Sequence, residues 1–479
     1  MDYKKIGFKA GLEIHQQLDS HKLFCNCPSV LRKDEPDFEI KRNLHAVAGE
    51  SGKVDAAAKY QAGLKKDFFY QGYNDSTCLV ELDEEPPHEL NKDALHIALH
   101  ISLLLNCDIL PISQIMRKTV IDGSNTSGFQ RTTMIAHSGK ISTSKGDVGI
   151  TAVLLEEDAA RIISREEKKE IYRLDRLGIP LVEVVTDPDI KDAEHAREVA
   201  LIIGNILRSC KVKRGLGTIR QDISISVNGG NRVELKGVQD IDLLPTTVKN
   251  EIERQLDLEK NKKPTKAEVR NALPDGKTEF LRPMPGSARM YPETDVPLLK
   301  ISREFINECK KDLPELKSDI EESLRKQGLS QEIIKDILRS DQLEEYKELF
   351  NIFGNASLIG KMMFLLPKEI ASKEKKSVEE LKNIFNQNFF TFVLEKIRDK
   401  ELDENRLKEV FSRVYSGEEV KKAVVFDSMS LDEVEESVMK IVRSKPGLTP
   451  NAYMGLVMAS MKGKVSGNDA MIFIKKYTN

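Results

Sequence analysis

The sequence changes character near residue 300, and this change limits the folds that the chain can adopt. Before residue 300, short β-prone segments recur between helical patterns. The β-prone segments cover residues 8–18, 114–122, 149–156, 180–186, 218–227 and 232–238, and the helical patterns cover 91–105, 192–209 and 246–258. Because the strands do not alternate strictly with helices, we predict an α+β domain built on a largely antiparallel sheet.

After residue 300, nearly all of the sequence has helical periodicity. Ser330 is a predicted N-cap ahead of isoleucines at amphipathic spacing. Ser430 and Glu433 have the spacing of a capping box. Thr449 followed by Pro450 is typical of a helix start. These patterns predict an all-helical second half.

We therefore predict three domains. An α+β domain at 1–300 is followed by a helical domain at 301–400 and a helical tail domain at 401–479. The charged stretch at 398–406 marks the boundary between the two helical domains. Residues 259–277 are charged and rich in turn-forming residues, so they are predicted to form a surface connection.

The charge balance excludes one class of nucleic-acid-binding protein. The 479 residues include 74 Lys and Arg against 77 Asp and Glu, so a globally basic coat is excluded and a polyanion needs local basic patches. The absence of Trp disfavours an aromatic stacking platform. No apolar run approaches the roughly 20 residues of a membrane span, and no secretory signal is evident, so we expect a cytoplasmic protein.

The six cysteines fit that compartment. Cys25, Cys27 and Cys78, together with His88, offer ligands for a zinc ion. Structural zinc usually uses two well-spaced pairs, however, and free Cys is among the residues most often buried. We therefore predict free thiols and assign no zinc to them.

The segment from Gly11 to Leu18 contains the first candidate metal ligands. In a strand, the two-residue period places Glu13, His15 and Gln17 on one face. Same-face neighbours lie about 6.5–7 Å apart, so a carboxylate and an imidazole can converge on one cation. A solvated strand face is the alternative interpretation of this segment.

Acidic residues also interrupt other β-prone runs. Glu156, Glu157 and Asp158 end one run, and Glu183 lies inside another. Such charges are uncommon in strands unless they are paired or bound to a metal. Two further strands carry Arg220, Asp222, Ser224 and Ser226 on one face, and Arg232, Glu234 and Lys236 on one face. A sheet face with both signs of charge suits Mg²⁺ and phosphates, although an ordinary exposed face is the alternative.

A glycine-rich turn at 123–128 differs from a P-loop in its last two positions. Gly123 and Gly128 have the required spacing, but Phe129 and Gln130 stand where Lys and Ser/Thr are needed, which disfavours a P-loop NTPase. Backbone N–H groups of such a turn can still bind an anion, and a plain hairpin turn is the alternative. Further candidate phosphate ligands are Arg131, Lys236 and Arg289.

Basic residues cluster in two places. The clusters are Lys211, Lys213, Arg214 and Arg220, and near the C-terminus Lys462, Lys464, Lys475 and Lys476. Either cluster could follow an RNA backbone, whose protein contacts are mainly electrostatic. Simple solvation is the commoner explanation of a lysine-rich stretch.

These segments together resemble one family, the B-type and E-type subunits of tRNA-dependent amidotransferases, and within it the archaeal E type. The resembling stretches are GLEIHQQLDSHKLFCNCPS (11–29), YQGYNDSTCLVELDEEPP (70–87), MRKTVIDGSNTSGFQRT (116–132), LLEEDAAR (154–161), DRLGIPLVEVVTDPDI (175–190), GLGTIRQDISISV (215–227), RVELKGVQ (232–239) and FLRPMPGSARMYPETDVP (280–297). With the helical second half, they cover nearly the whole chain.

This resemblance implies a reaction on a charged tRNA. Members of the family bind Glu-tRNA(Gln) and use ATP with Mg²⁺ to phosphorylate the γ-carboxylate of the esterified glutamate. Ammonia then displaces the phosphate and gives Gln-tRNA(Gln). The resemblance further implies that ammonia arrives through a tunnel from an asparaginase-like glutaminase subunit (D type), in a heterotetramer of two D-type and two E-type subunits. Catalysis would rest on positioning and electrostatics.

The resemblance also assigns roles to individual residues. The metal ligands it implies are Glu13, His15, Glu156, Glu157 and Glu183, of which Glu13, His15, Glu157 and Glu183 are the implied catalytic group. The implied contacts to ATP or the acyl phosphate are Ser124, Asn125, Arg131, Arg220, Lys236 and Arg289. Lys462 and Lys464 are implied to contact the tRNA backbone. We expect the catalytic group to meet in a single pocket.

The sequence departs from the family pattern in two ways. E-type subunits usually carry an inserted domain, similar to one in bacterial aspartyl-tRNA synthetases, before the segment that begins at Phe280. Here only residues 259–279 fill that gap, so the insert is absent and its contribution to tRNA discrimination is in doubt. The bacterial type often has a second Cys pair, whereas this chain offers only Cys78 nearby.

Two other functions agree with parts of the sequence. A non-catalytic tRNA-binding scaffold gains nothing from clustered carboxylates, because it binds a polyanion. A metal-dependent nuclease would also place acids beside Mg²⁺, but it would cut tRNA with Mg²⁺ alone.

Overall fold

The computed structural model describes residues 1–48, 52–238, 240–263, 265–286, 289–340, 342–426, 431–461 and 467–478. The chain divides into two compact units, Met1–Lys317 and Ser318–Asn479. Within the described residues, no helix has the length and apolar character needed to cross a membrane. The finer division into domains at 1–300, 301–400 and 401–479 stays a prediction.

The first unit contains the strands. Those in its first half are β1 (Lys9–Gln17), β2 (Phe38–Arg42), β3 (Asp67–Gly72), β4 (Asp108–Ile109), β5 (Ile112–Ser113), β6 (Met116–Thr119), β7 (Phe129–Thr143) and β8 (Gly146–Glu157). Those in its second half are β9 (Arg161–Arg165), β10 (Lys169–Arg173), β11 (Pro180–Thr186), β12 (Ile219–Ser226), β13 (Val233–Lys236), β14 (Glu268–Ala272), β15 (Thr278–Pro283), β16 (Met290–Pro292) and β17 (Leu299–Lys300).

The largest sheet places β1 next to strands that come much later in the sequence. Its order is β15, β14, β13, β12, β1, β11, β8, β7, β6 and β16, and β4 also pairs with β7. The described neighbours in this sheet are antiparallel except β13 and β14, which are parallel. A smaller sheet has the order β2, β3, β10 and β9, and β17 pairs with β5. The predicted α+β fold on a largely antiparallel sheet is confirmed.

The apolar face of the largest sheet is covered by helices. The helices of the first unit are α1 (Ala56–Gly63), α2 (Lys92–Leu104), α3 (Ala193–Ser209), α4 (Leu244–Lys260) and α5 (Arg303–Lys311). α2 contacts β7 and β8, α3 contacts β1, and α4 contacts β12. Leu12 and Ile14 of β1 are buried in this core. Because side chains alternate along a strand, Glu13 and His15 point to the other face.

Helices make up the rest of the described chain. They are α6 (Lys317–Lys326), α7 (Gln331–Arg339), α8 (Leu343–Phe353), α9 (Ala356–Gly360), α10 (Leu366–Glu374), α11 (Val378–Leu381), α12 (Gln387–Arg398), α13 (Leu407–Tyr415), α14 (Val420–Ala423), α15 (Leu431–Ser444), α16 (Pro450–Met461) and α17 (Gly467–Thr478). A π-helical turn (Lys361–Leu365) joins α9 to α10, and a 3₁₀ turn (Glu404–Arg406) precedes α13. Apolar residues between Leu324 and Val424 form one core, and those between Val434 and Ile474 form another.

Two of the predicted helix starts are confirmed. The Ser330 side chain accepts a hydrogen bond from the N–H of Ile333 at the start of α7. α16 begins at Pro450, and Thr449 Oγ1 accepts from the N–H of Ala452. Ser430, the other half of the predicted capping box, lies outside the described residues.

The predicted surface connection at 259–277 is wrong, because this segment contains β14. That strand pairs with β13 on one side and β15 on the other. Val269 is the single fully buried apolar residue in β14, so the hydrophobic signal for a strand is very short. β7 was also not predicted, although Ile135, Ala136 and Ile141 in it are buried. Its Gly, Ser, Thr and His residues obscure the alternation.

Candidate active site

A cavity of about 480 Å³ lies on the polar face of the largest sheet. β1 runs along it, and the register of its two neighbours decides which side chains meet. His15 lies opposite Glu183 on β11 and opposite Arg220 on β12, and Glu13 lies opposite Asp222 on β12. Antiparallel neighbours opposite each other are about 5 Å apart, so charged residues from distant parts of the sequence become direct neighbours.

The first group of ligand atoms in the cavity comes from β1, β8 and β11. One ligand atom from each of His15, Glu156 and Glu183 lies within 4.8 Å of the others. His15 Nε2 is 3.4 Å from Glu183 Oε2. Lys118 Nζ on β6 lies 2.7 Å from Glu156 Oε1 and 3.6 Å from Glu183 Oε2. A positive charge therefore already bridges the two carboxylates.

The surrounding charges favour the charged forms of Glu183, His15 and Lys118. Burial alone would raise the pKa of Glu183, but the charges of Lys118 and His15 hold that pKa well below its usual value. Burial would lower the pKa of His15, but its hydrogen bond and charge interaction with Glu183 raise it overall. Burial also opposes the charge on Lys118, and Glu156 and Glu183 raise the pKa of that lysine despite it. Ionised carboxylates are the form that binds a cation.

The second group of ligand atoms comes from β1, β12 and β13. Carboxylate oxygens of Glu13, Asp222 and Glu234 lie within 4.8 Å of one another. Lys236 Nζ is 2.6 Å from Asp222 Oδ2 and 2.8 Å from Glu234 Oε1. The hydroxyl of Ser224, which is opposite Glu234, is buried and has no hydrogen-bond partner among the described residues. Both groups thus have one lysine between two carboxylates.

Glu13 has an unusual pKa for a glutamate. Burial, followed by repulsion from Glu183 and Glu234, raises the pKa of Glu13 to about 7. The two groups of acids are therefore close enough to repel one another across β1. A bound divalent cation would relieve this repulsion, because it favours the ionised carboxylate.

Arginines complete the lining of the cavity. Arg220 Nη2 is 3.1 Å from Asp158 Oδ1. Arg289 Nε donates to the carbonyl of Thr119 at 3.1 Å. Other arginines that line the cavity are Arg232 and Arg282. Guanidinium groups match phosphate oxygens well, so this part of the lining suits a polyphosphate.

Glu157 does not share the cavity, which corrects the expectation that it would meet Glu13, His15 and Glu183. It follows Glu156 directly on β8, and consecutive strand residues point to opposite faces. Glu157 Oε2 lies 3.4 Å from Arg131 Nη1, and Arg131 Nε lies 2.8 Å from Glu293 Oε2. All three of these side chains are buried. Arg131 is therefore an ion-pair partner on the far face of β8 and does not line the cavity either.

The loop at 123–128 also lies outside the cavity lining. The Ser124 hydroxyl donates to Asp122 Oδ1 at 2.6 Å, and the Asn125 amide donates to Ser124 Oγ at 3.3 Å. Gly123 has a φ of +88°, and a Cβ there would lie 2.3 Å from the ring of Phe68. The loop is thus packed against the smaller sheet. The structure does not bring Ser124 and Asn125 together with the acids of the cavity.

Cys25, Cys27 and Cys78 lie together with Glu81, which the sequence analysis did not select. One ligand atom from each of Cys25, Cys27, Cys78 and Glu81 lies within 4.8 Å of the others. The buried ammonium of Lys22 lies 2.5 Å from Glu81 Oε1. His88 instead lies 3.4 Å from Glu85, and the cysteines are free thiols. We assign no zinc to this group.

Sequence reasoning missed three residues that the structure places in the cavity groups. Asp222 and Glu234 were seen on charged strand faces but were not selected, and Lys118 was not noticed. Three strand pairings place these residues there: β12 with β1 for Asp222, β13 with β12 for Glu234, and β6 with β7 for Lys118. A charged residue within a β-prone run was the available signal, and it applies to all three.

The donor set of the cavity fits Mg²⁺. Mg²⁺ prefers oxygen ligands and usually binds one or two carboxylates together with phosphate oxygens. Glu13, Asp222 and Glu234 provide three carboxylates. Ser224, which is opposite Glu234 in the sheet, has a buried hydroxyl without a hydrogen-bond partner among the described residues. Glu156 and Glu183 provide two more carboxylates beside His15. The geometry therefore allows two cation positions, one on each side of β1.

Replacing Glu13 with glutamine should stabilise the protein when no divalent cation is present. The folded-state pKa of about 7 exceeds the ordinary value of 4.5, so ionising Glu13 weakens folding progressively as the pH rises through that range. We expect Glu13→Gln to raise the free energy of unfolding by about 1–3 kcal/mol at pH 8 and by much less at pH 5. Urea unfolding in EDTA, followed by circular dichroism, measures both values. Equal stability of the two proteins at pH 8 would contradict the assigned environment.

A family model described as the GatB/GatE catalytic domain matches residues 8–307. The chain is also similar to the E-type subunit of glutamyl-tRNA(Gln) amidotransferase from Methanocaldococcus jannaschii, at 36% identity with 98% of each chain covered. The E-type subunit of the same amidotransferase from Methanosarcina barkeri is 34% identical, with 99% of this chain and 98% of the relative covered. The alignments with these two relatives span both units of the structure, whereas the family model matches residues of the first unit only.

The length of these alignments bears on the missing insert. The alignment with the Methanocaldococcus relative has 634 positions, whereas this chain has 479 residues. The difference between 634 and 479 leaves at least 155 positions without a residue of this chain. Only residues 261–277 separate α4 from β15, and β14 lies among them. This observation agrees with the absence of an inserted domain.

Proposed function

Because the chain belongs to the GatB/GatE family, we propose that it converts Glu-tRNA(Gln) into Gln-tRNA(Gln). The glutamate γ-carboxylate is first phosphorylated by ATP, and ammonia then displaces the phosphate. The single observation that carries this proposal is the cavity of about 480 Å³ that is lined by both acids and arginines. A nucleotide, a carboxylate and a divalent cation all find complementary groups there.

In this proposal, the residues of the cavity bind and orient the reactants. Arg220 and Arg289 neutralise phosphate oxygens, which lets the anionic γ-carboxylate approach the anionic nucleotide. His15 holds Glu183 in its ionised form through the 3.4 Å contact. The two acid groups would hold Mg²⁺, which supplies positive charge for the phosphate oxygens when it is bound. Phosphorylation provides a leaving group that the free carboxylate lacks.

The partners of the reaction follow from the family and belong to the same proposal. Ammonia comes from an asparaginase-like glutaminase of the D type, with two D-type and two E-type subunits in a heterotetramer. The tail of the chain contacts the tRNA body. Lys462 and Lys464, the predicted contacts to the tRNA backbone, lie outside the described residues, so their role stays a prediction from the sequence.

Free ammonium should replace the partner glutaminase in the synthetic reaction. We expect the purified chain, given Glu-tRNA(Gln), ATP, Mg²⁺ and ammonium chloride, to form Gln-tRNA(Gln), because the acids and arginines of the cavity lie on this chain alone. The aminoacyl group is identified by chromatography after deacylation of the tRNA. Omitting ATP or adding excess EDTA should abolish the product.

The same incubation separates the alternatives. Cleavage of the tRNA by the chain in the presence of Mg²⁺ alone, detected on a denaturing gel, would indicate a nuclease. Binding of the tRNA without any tRNA-dependent ATP hydrolysis would indicate a scaffold. Either result contradicts the proposed function.

A further inference from the structure

A further set of candidate metal-ligating side chains lies between two helices, on the helix-covered side of the largest sheet. His96 and His100 are four residues apart on α2, so they lie on the same side of that helix. Cys309 lies on α5, and Asp312 is the C-cap residue of that helix. α2 and α5 contact each other. None of these four residues lines the candidate active site.

Three of these side chains meet at one place, and Asp312 contacts two of them. His96 Nε2 lies 3.2 Å from Asp312 Oδ2, and His100 Nε2 lies 3.1 Å from Asp312 Oδ1. The two imidazole rings have centroids only 4.3 Å apart. Ligand atoms of His96, His100 and Cys309 all lie within 4.8 Å of one another. Two imidazoles and a thiol therefore surround a small common volume. The carboxylate of Asp312 contacts both imidazoles, but it is not within 4.8 Å of all three ligand atoms.

These distances are close to those of a tetrahedral zinc site. Zn–N bonds of about 2.0–2.1 Å and a Zn–S bond of about 2.3 Å imply ligand separations of about 3.3–3.6 Å in a tetrahedron. The group needs side-chain shifts of about 1 Å to reach that geometry. His₂, Cys and Asp are ligand types that zinc accepts together.

The surroundings of the group also suit a structural metal. Cys309 is completely buried and the side chain of His100 is 10% exposed, whereas that of Asp312 is 58% exposed. The site therefore has an apolar floor and an open rim through which an ion can enter. The ring of Phe305 lies 5.9 Å from that of His96 and covers one side.

We propose that His96, His100 and Cys309 bind a zinc ion that fastens α5 to α2, with Asp312, which already contacts both imidazoles, moving in as the fourth ligand. Binding forms a Zn–S bond and releases the Cys309 thiol proton to solvent, with no change in oxidation state. α5 is the last helix of the first unit, and the second unit begins at Ser318, six residues after Asp312. The ion would hold the end of the first unit in place. This proposal does not depend on the proposed catalytic function.

Co²⁺ titration of the metal-free, full-length protein tests the proposal. Tetrahedral Co²⁺ bound to a thiolate gives a near-ultraviolet charge-transfer band, and zinc should displace it. Cys25, Cys27 and Cys78 could contribute to this band, so variants must identify its source. We expect Cys309→Ser to remove the charge-transfer intensity of one thiolate. Cys210→Ser is the matched control, because Cys210 is also buried but is absent from the candidate metal groups found among the described residues.

A second variant tests the site in case the Cys309 variant does not fold. His96 has a partly exposed side chain, so His96→Gln should leave the core intact. We expect His96→Gln to weaken Co²⁺ binding at this site at least about tenfold. Zinc content after dialysis should fall by one ion per chain in both variants. Unchanged charge-transfer intensity in Cys309→Ser together with unchanged zinc content in His96→Gln would overturn the proposal.

Discussion

Replacing Glu156 with glutamine is expected to reduce Gln-tRNA(Gln) formation by about 10²–10³-fold, whereas the same change at Glu157 leaves most of the activity. Glu156 contacts Lys118 at 2.7 Å inside the cavity and lies within 4.8 Å of His15 and Glu183. Losing its charge removes electrostatic stabilisation at the reacting groups, for which the usual cost is of this size. Glu157 points to the other face of β8 and contacts Arg131 instead.

The two variants are matched because they differ by one position on the same strand and by the same chemical change. Steady-state formation of Gln-tRNA(Gln) with free ammonium measures the effect, at a temperature at which both variants are folded. Titration with Mg²⁺ adds a second readout, since Glu156→Gln should raise the Mg²⁺ concentration needed for activity. A larger loss of activity in Glu157→Gln than in Glu156→Gln would mean that the catalytic group lies on the other face of the sheet.

Replacing Arg131 with methionine is expected to lower stability by about 3–5 kcal/mol, because it leaves a buried carboxylate without its partner. Arg131 is 5% exposed and lies between Glu157 and Glu293. Glu293 keeps Arg117, whose Nη2 lies 2.6 Å from it. Without Arg131, Glu157 has no positively charged partner among the ion pairs of the described residues. Burial already raises the pKa of Glu157. The loss of stability should become smaller as the pH falls, because protonation of Glu157 removes the buried charge.

Native-state hydrogen exchange of the amides in β7 and β8 measures this loss, since it reports the opening free energy of that part of the sheet. Lys249→Met is the control. Its ion pair with Glu194 is on the surface, with side chains 49% and 65% exposed, so the change should cost less than about 1 kcal/mol. Equal protection of β7 and β8 in the wild type and the Arg131 variant would show that the buried ion pair does not hold these strands.

Much of the site could be predicted because acids in β-prone runs carry information on their own. Glu13, His15 and Glu183 were selected from the sequence, and the structure places them in one cavity. Burying a charge in a strand is costly unless it is paired, so such residues mark a functional or ion-paired position. The sequence cannot distinguish these two outcomes. Glu183 and Glu157 are both buried acids in strands, but Glu157 pairs with Arg131 outside the cavity.

The sequence by itself determined the α+β class of the first unit, the helical character of the second and the family. Local patterns of period 2 and 3.6 and long motifs are properties of contiguous residues, so they can be read directly. Only the tertiary structure decided that Glu156 rather than Glu157 joins His15, that Lys118 contacts this group, and that Asp222 and Glu234 join Glu13. The strand register sets these contacts, and register depends on pairing between segments more than 100 residues apart, such as β1 with β11.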